Sequence, residues 1–423
     1  NGFTPSDIHS LTNHSESRIL YTEKDIFGNM DFDSMPNLIA AIDIHSQTVL
    51  ASRNGFAELY EARYDDFDRA YPTFSKEDFK PVISGMDDIC AIMYTSGSTG
   101  NPKGVMLQVR NFSANVELVK MAFPMYPGEN HLTVLPFAHI FGLTVDMLTP
   151  LCIGMSLCVL ALPPIPRTLS EAFTSLHPRA FFAVPLILSK FAEYSLGSVI
   201  NTEEGREKLE NYKDYPEFCE QLRSLLIEKM GGRMELFATG GAAIPFNIEE
   251  LLAFKIKVPF ITGYGMTECA PVVSLGPADN YKARSCGKIY EDYLDSKVLS
   301  PDPRNIPGEV LLKGQAVFPG YFKNPEATKA VIDEDGWLHT GDIGTIDEDN
   351  LLFLSGRCKN MILTENGQNI FPEEIEVVLN GLHYIAESLV VLRNGHLHAI
   401  IVPAADAIDD GIDPDSQKTI MDS

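Results

Sequence analysis

The sequence predicts an α/β fold: a large N-terminal domain of parallel-rich sheets covered by helices, carrying a β-rich lobe. Three observations predict it. An apolar run, Ile89-Cys90-Ala91-Ile92-Met93-Tyr94, leads into a loop dense in glycine and hydroxyls, as a buried strand leads into a ligand loop. Between Met234 and Thr262, strand-like and helix-like runs alternate at the spacing of crossover units, which implies a largely parallel sheet with both faces covered. From about Lys297 the texture changes to short strands parted by Gly/Pro turns and acidic clusters, such as Pro307-Gly308-Glu309 and Asp347-Glu348-Asp349-Asn350. With 423 residues the chain exceeds the size at which a single core usually splits, so two or more domains are expected.

The elements follow in order. After the strand at 89–94 comes the loop at 95–104, then a helical stretch near 111–123. The most apolar window, Phe141 to Leu162, is interrupted by Asp146, Pro150 and Gly154, and reads as a buried helix followed by a strand rather than a membrane span. A charged helical region within Ile200 to Met230 stops at Gly231-Gly232. Met234 to Thr239 reads as a strand, Gly240-Gly241 as a turn, Ile248 to Phe254 as a helix and Val258 to Thr262 as the next strand. The loops at 95–104, 240–245 and 263–268 therefore all follow strands. In an open α/β sheet, ligands bind beyond the carboxyl ends of the strands, so these loops can share one crevice. Internal repeats and low-complexity tracts are absent from the sequence.

Hydrophobic residues make up 45% of the chain, and the formal net charge is -25. Such a surface repels nucleic acid and anionic headgroups; a site for an anionic ligand must be locally positive, with Lys103 and Arg357 as candidates. The seven cysteines include no C-x-x-C pair, which excludes a zinc ribbon and a thioredoxin-like motif. Several lie in apolar runs as buried thiols, and a reducing, cytoplasmic setting is expected. No transmembrane segment is predicted; peripheral contact with lipid stays open. The chain opens on Asn1-Gly2 and stops on a polar run shortly after the apolar strand Leu397 to Val402, so both ends read as cut.

The stretch Tyr94-Thr95-Ser96-Gly97-Ser98-Thr99-Gly100-Asn101-Pro102-Lys103-Gly104-Val105 holds what a polyphosphate cradle needs. Glycines let backbone N–H groups approach the oxygens, hydroxyls donate, and Lys103 is a point charge. It is not a Walker-type P-loop: Pro102 stands where that motif needs glycine, and Gly104 where it needs a magnesium-binding hydroxyl. Leu135-Pro136-Phe137-Ala138-His139-Ile140-Phe141-Gly142 places a histidine beside an apolar run. Gly263-Tyr264-Gly265-Met266-Thr267-Glu268 combines an aromatic face for a purine (Tyr264), a close backbone approach (Gly265), a hydroxyl donor (Thr267) and a carboxylate suited to magnesium (Glu268). The carboxylate of Asp342, in Trp337-Leu338-His339-Thr340-Gly341-Asp342, can accept from two hydroxyls at once. His131 fits no motif and reads as structural.

In this order the motifs resemble those of the adenylate-forming superfamily, which includes acyl-CoA synthetases, adenylation domains of peptide synthetases and firefly luciferase. The resemblance implies that Thr95, Ser96, Gly97, Ser98, Thr99, Gly100 and Lys103 hold ATP phosphates. It implies that Gly240, Gly241 and Ala242, in Gly240-Gly241-Ala242-Ala243-Ile244-Pro245, border adenine and the acyl tunnel. Tyr264, Gly265, Met266 and Thr267 would contact the nucleotide, Glu268 the magnesium ion, and Asp342 the ribose hydroxyls. Arg357 would contact ribose or phosphate, and His139 would gate or position the acyl group. Lys103, Thr267, Glu268 and His139 are the catalytic candidates. The large domain would span 1–356, and 357–423 would begin a small, mobile α+β C-terminal domain that is incomplete. Its hinge would lie near Asn360, where many relatives have Asp. In Gly367-Gln368-Asn369-Ile370-Phe371-Pro372-Glu373-Glu374-Ile375-Glu376, Gly367 is the CoA-side candidate, and Pro372 and the acids suit a helix start. The lysine that the family carries late in the small domain has no counterpart here, and Lys418 lies in no matching context.

The implied activity is an ATP-dependent carboxylate–CoA ligase using ATP, Mg2+ and CoA, with a medium-to-long-chain fatty acid as the favoured substrate. An aryl acid–CoA ligase and a fatty acyl-AMP ligase are alternatives within the class. A nucleotide-binding module without full activity and a P-loop phosphotransferase are alternatives from other classes.

Overall fold

The computed structural model describes residues 3–95, 102–277, 281–363, 369–382, 384–393 and 396–403. The chain divides into two units, Asn1–Met106 with Tyr321–Asn324, and Leu107–Gly320 with Pro325–Ser423.

In the first unit, Thr4 and Asp7 form a capping box at the start of the helix Pro5–His14, satisfying two otherwise orphaned backbone donors. The strand Ile19–Thr22 runs parallel to the buried strand Ala40–Asp43, which pairs antiparallel with Val49–Ser52. The strand predicted at 89–94 is Ile89–Thr95, one residue longer. Lys103 opens the next strand, Lys103–Gln108, rather than ending a loop. The Phe322 N–H donates to the Gly104 carbonyl at 2.7 Å, which fixes the start of that strand.

The second unit is organised by a four-stranded sheet. Ala180–Ala183, Leu236–Thr239 and Phe260–Gly265 are parallel, and Val272–Leu275 adds an antiparallel edge. Both faces are buried, so the strands read as continuous apolar runs rather than alternating ones. Successive residues still serve opposite faces. Phe181, Phe237 and Phe260 pack with Phe173, Phe191, Leu226 and Leu252 on one side. Phe182, Ala238 and Ile261 pack with Leu118, Val119 and Val145 on the other. The helices on the first face begin on prolines whose missing N–H costs nothing there: Pro166, Pro185 and Pro216. The charged region predicted within 200–230 is two helices, Glu203–Glu210 and Pro216–Lys229, with a short turn at Tyr212–Asp214. Beyond the sheet, the apolar window at 141–162 forms a wide helical turn at Gly142–Leu148, the helix Thr149–Ile153 and the strand Ser156–Val159.

The β-rich lobe is an antiparallel sheet in the order Leu294–Leu299, Gly308–Gly314, Leu338–Ile346 and Leu352–Arg357. Asp342 pairs with Arg357 across the last two strands, so both lie in sheet rather than in turns. The helix Pro372–Leu379 follows. Among the described residues, no helix is long and apolar enough to cross a membrane. All seven cysteines are free thiols; Cys219 and Cys269 are buried as expected, whereas Cys90 and Cys152 are exposed.

Candidate functional site

Where the parallel sheet meets the β-rich lobe, the second unit contains a cavity of about 440 Å³. Its walls include the ends of two parallel strands at Thr239 and Gly263-Tyr264-Gly265, the turn residues Gly241 and Ala242, and the sheet residues Asp342 and Arg357. Six of the sequence candidates thus meet here: Gly241, Ala242, Tyr264, Gly265, Asp342 and Arg357.

The centre is Asp342. Its carboxylate accepts the Tyr264 hydroxyl on Oδ2 and lies 3.2 Å from Arg357 Nε through Oδ1. Its N–H donates to Thr340 Oγ1 at 3.0 Å, while that hydroxyl donates to the Val310 carbonyl at 2.8 Å. The side chain is held from two directions and the backbone from a third. Burial pushes the Asp342 carboxyl above its ordinary value, and the Tyr264 and Arg357 contacts oppose that push. Burial, reinforced by Asp342, drives the Tyr264 phenol far up, so it remains a donor.

Gly265 is needed for space. A Cβ there would lie 2.3 Å from the Pro271 carbonyl oxygen, so the strand and its antiparallel partner can close only on glycine. Gly240 does not line the cavity; a Cβ on it would sit 2.9 Å from the Gly263 carbonyl oxygen, which makes it a spacer between the two strand ends.

Thr267 and Glu268 form a short helical turn, Thr267–Cys269, directly after the strand. Met266, Thr267 and Glu268 are half-buried and lie outside the cavity lining. That turn is pinned by Asn115, a buried residue of the helix Val109–Ala122 that sequence reasoning missed. Asn115 donates to the Cys269 carbonyl at 2.9 Å and accepts the Val272 N–H at 2.8 Å. The Glu268 carbonyl accepts the Phe318 N–H at 2.8 Å. Among the described residues, no group of three or more His, Cys, Asp or Glu side chains is arranged to hold a metal ion. One carboxylate nonetheless suits magnesium, which takes most of its ligands from phosphates and water.

His139 is exposed and outside the cavity lining; its Nδ1 accepts the Phe141 N–H at 3.2 Å, so it caps the start of the following helical turn. The Phe141 ring comes closer to the site, 4.0 Å from where a Gly240 Cβ would stand. His131 has the structural role the sequence suggested: it is buried with its Nε2 2.6 Å from Asp146 Oδ1. Asp146 also accepts the Thr133 hydroxyl and the N–H groups of Val134 and Leu135, at 3.1 and 3.2 Å.

Thr95 and Lys103 belong to the first unit, where Lys103 Nζ lies 4.9 Å from the Tyr321 ring centroid. Ser96, Gly97, Ser98, Thr99, Gly100 and Gly367 lie outside the described residues. Asn360 donates to Glu373 Oε1 at 2.6 Å. Sequence reasoning also missed Glu249, Arg284 and Cys286 in the cavity wall. None stands in a motif; contacts from distant segments bring them there.

The sequence profile of the AMP-binding enzyme family matches residues 1–322. The chain belongs to the AMP-binding enzyme family. This places it in the adenylate-forming superfamily, as the motif order implied. The 4-coumarate–CoA ligase 1 of Oryza sativa subsp. japonica is 31% identical over 414 residues, which is 92% of this chain and 64% of that protein. A long-chain-fatty-acid–CoA ligase of Salmonella typhimurium is 33% identical over 308 residues, 71% of this chain and 49% of that protein. The chain thus spans about half to just under two thirds of the length of these relatives. Among AMP-binding enzymes of known structure, ATP-bound MatB from Rhodopseudomonas palustris matches with a TM-score of 0.71 at 22% identity, over 97% of this chain and 75% of that one. The o-succinylbenzoate CoA synthetase of Bacillus subtilis, solved with ATP and magnesium ion, matches with a TM-score of 0.70 at 22% identity, over 96% and 75%. These two likenesses concern the fold.

Proposed function

We propose that this chain carries the adenylation site of a carboxylate–CoA ligase, which activates a carboxylic acid with ATP and passes the acyl group to CoA. The observation that supports it most is the state of Asp342. A carboxylate offers about four acceptor positions. Tyr264 and Arg357 take two of them, one on each oxygen. Two remain, the number that a ribose diol requires, at a cavity whose wall also holds the aromatic Tyr264. Family membership and the names of the relatives support the same reading.

In this reading the acid attacks the α-phosphorus of ATP and pyrophosphate leaves; the CoA thiol then displaces AMP from the acyl-AMP. Asp342 and Arg357 hold the ribose, Tyr264 offers its ring face to adenine, and Gly265 lets the strand backbone approach the nucleotide. Thr267 donates to the α-phosphate, and Lys103 with the loop hydroxyls Thr95, Ser96, Ser98 and Thr99 stabilises charge on the departing phosphates. Glu268 would hold a magnesium ion, which when bound neutralises phosphate charge. Positioning and electrostatics carry the chemistry, and no protein nucleophile is needed. His139 and Phe141 flank the acyl side, and Gly367 the CoA side. We further place the boundary between large and small domains at Arg357, with Asn360 as the hinge and its bond to Glu373 as the contact that rotation breaks.

For the acid we favour a medium-to-long-chain fatty acid, in line with the fatty-acid–CoA ligases among the relatives; the apolar strand Ala180–Ala183 is spent in the core and does not bear on the choice. The rice and Salmonella relatives keep aryl and fatty acids both in view.

Acid-dependent ATP–pyrophosphate exchange across fatty and aryl acids, with and without CoA, tests this. Exchange with at least one acid and AMP as product is expected. ADP as product, with no exchange for any acid, removes the ligase reading. Tight ATP binding without exchange supports a nucleotide-binding module instead.

A further inference from the structure

Arg284 lines the cavity in a backbone conformation that an arginine rarely adopts. Its φ is +63°, in the left-handed region that favours glycine. It is kept there by Glu249, a side chain only 2% exposed, whose Oε1 accepts the Arg284 N–H at 2.7 Å and the Tyr281 hydroxyl at 2.5 Å. The next residue is fixed as well: the Ser285 carbonyl accepts the Thr262 hydroxyl at 2.5 Å. A strained residue held by a buried carboxylate in a cavity wall points to a task at that position.

The charges in the cavity indicate the task. The guanidinium of Arg357 is engaged by Asp342. The Arg284 guanidinium has no hydrogen bond or ion pair among the described residues. Glu249 does not neutralise it, because that carboxylate is turned to the Arg284 backbone and Tyr281. The wall also carries the carboxylates of Glu373 and Glu374, and Arg284 is exposed to solvent, so its guanidinium is a charge there that an entering anion can meet. Guanidinium pairs with carboxylate or phosphate through two parallel N–H···O bonds.

We propose that Arg284 is a specificity residue that binds an anionic group of the ligand filling this cavity. That group is either a second carboxylate on the acid substrate or a phosphate of the nucleotide. The proposal rests on the nucleotide-and-acid reading of the cavity given above.

The test uses the full chain and two variants. R284G removes the guanidinium and suits the positive φ, so the variant keeps its fold; R284K keeps the charge. Calorimetric titrations with ATP, adenosine, monocarboxylic acids and α,ω-dicarboxylic acids of matched length measure binding without turnover, and exchange assays give the corresponding KM values. If the anion is on the acid, R284G weakens dicarboxylates by about tenfold or more, spares monocarboxylates and ATP, and R284K restores part of the loss. If it is a phosphate, R284G weakens ATP by about tenfold or more and spares adenosine. Wild-type affinity of R284G for all four ligand classes overturns the proposal. Absence of exchange with every acid would instead remove the acid-activation reading, while the titrations still decide the role of Arg284.

Discussion

Gly265→Ala tests the cavity wall through one added carbon. That carbon would lie 2.3 Å from the Pro271 carbonyl oxygen and 2.9 Å from its carbonyl carbon. Non-bonded contacts of this kind become favourable only beyond roughly 3.3 Å, so the strand and its partner must part by about 1 Å. Little can yield. Gly265 pairs with Val272, the Met266 N–H donates to the Pro271 carbonyl at 2.9 Å, and Asn115 grips the Val272 N–H. Both crowding atoms are backbone, so no side-chain rotation relieves them. Overpacking of this sort costs about 1–3 kcal/mol. A displacement of about 1 Å at a positioned site costs roughly 10²-fold in rate. Urea denaturation should therefore show a lower midpoint at an unchanged slope, and acid-dependent exchange should fall by about two orders of magnitude in the folded variant. If Gly265→Ala stays within about 0.5 kcal/mol of the parent and exchanges pyrophosphate normally, then Gly265 is not a close-approach position and the cavity is not the nucleotide site.

Asp146→Ala should destabilise the fold by about 3–5 kcal/mol in denaturant titration, because buried His131, the Thr133 hydroxyl and two backbone N–H groups lose their acceptor. A loss below about 1 kcal/mol would mean that water or a rearranged helix replaces the carboxylate. Asp342→Asn should act in opposite directions on stability and binding. Burial holds the Asp342 carboxyl above its ordinary 3.8, so folding takes up a proton in the window from 3.8 up to the folded value, and the stability this supplies is lost as pH rises through that value. The asparagine does not titrate. The variant should melt higher than the parent at pH 7, show a flatter stability profile above about pH 4, and bind ATP more weakly. A lower melting temperature at pH 7 would show that the bonds from Tyr264 and Arg357 outweigh the cost of burying the charge.

Much of the second unit was legible because its central strands are buried on both faces. Met234 to Thr239 and Val258 to Thr262 read as strands, and the sheet has them at Leu236–Thr239 and Phe260–Gly265, whereas the strand Ala180–Ala183 was not read. Boundaries were less legible, since glycine reads as punctuation. Gly263 and Gly265 looked like a loop, yet both pair with Val272–Leu275 in the sheet. There glycine marks the close passage of a neighbouring backbone, a cause that only the partner strand reveals. Asp342 was readable as a chemical group but not as a strand residue opposite Arg357. The motif around His139 was readable, whereas its capping of the next turn depends on local backbone geometry. Glu249, Arg284 and Asn115 left no trace in any motif. Asn115 and Glu249 work through backbone groups distant in sequence, and neither periodicity nor spacing encodes such a partner. Arg284 shows the limit most clearly. In Tyr281-Lys282-Ala283-Arg284-Ser285 it is an ordinary surface arginine. Its positive φ and the buried carboxylate beneath its N–H are what set it apart, and both arise from the fold. The positive φ costs an arginine free energy that glycine would not lose to strain, and at Arg284 that cost coincides with a place in the cavity wall. The question that the fold adds to the motif reading is therefore which anion that side chain meets.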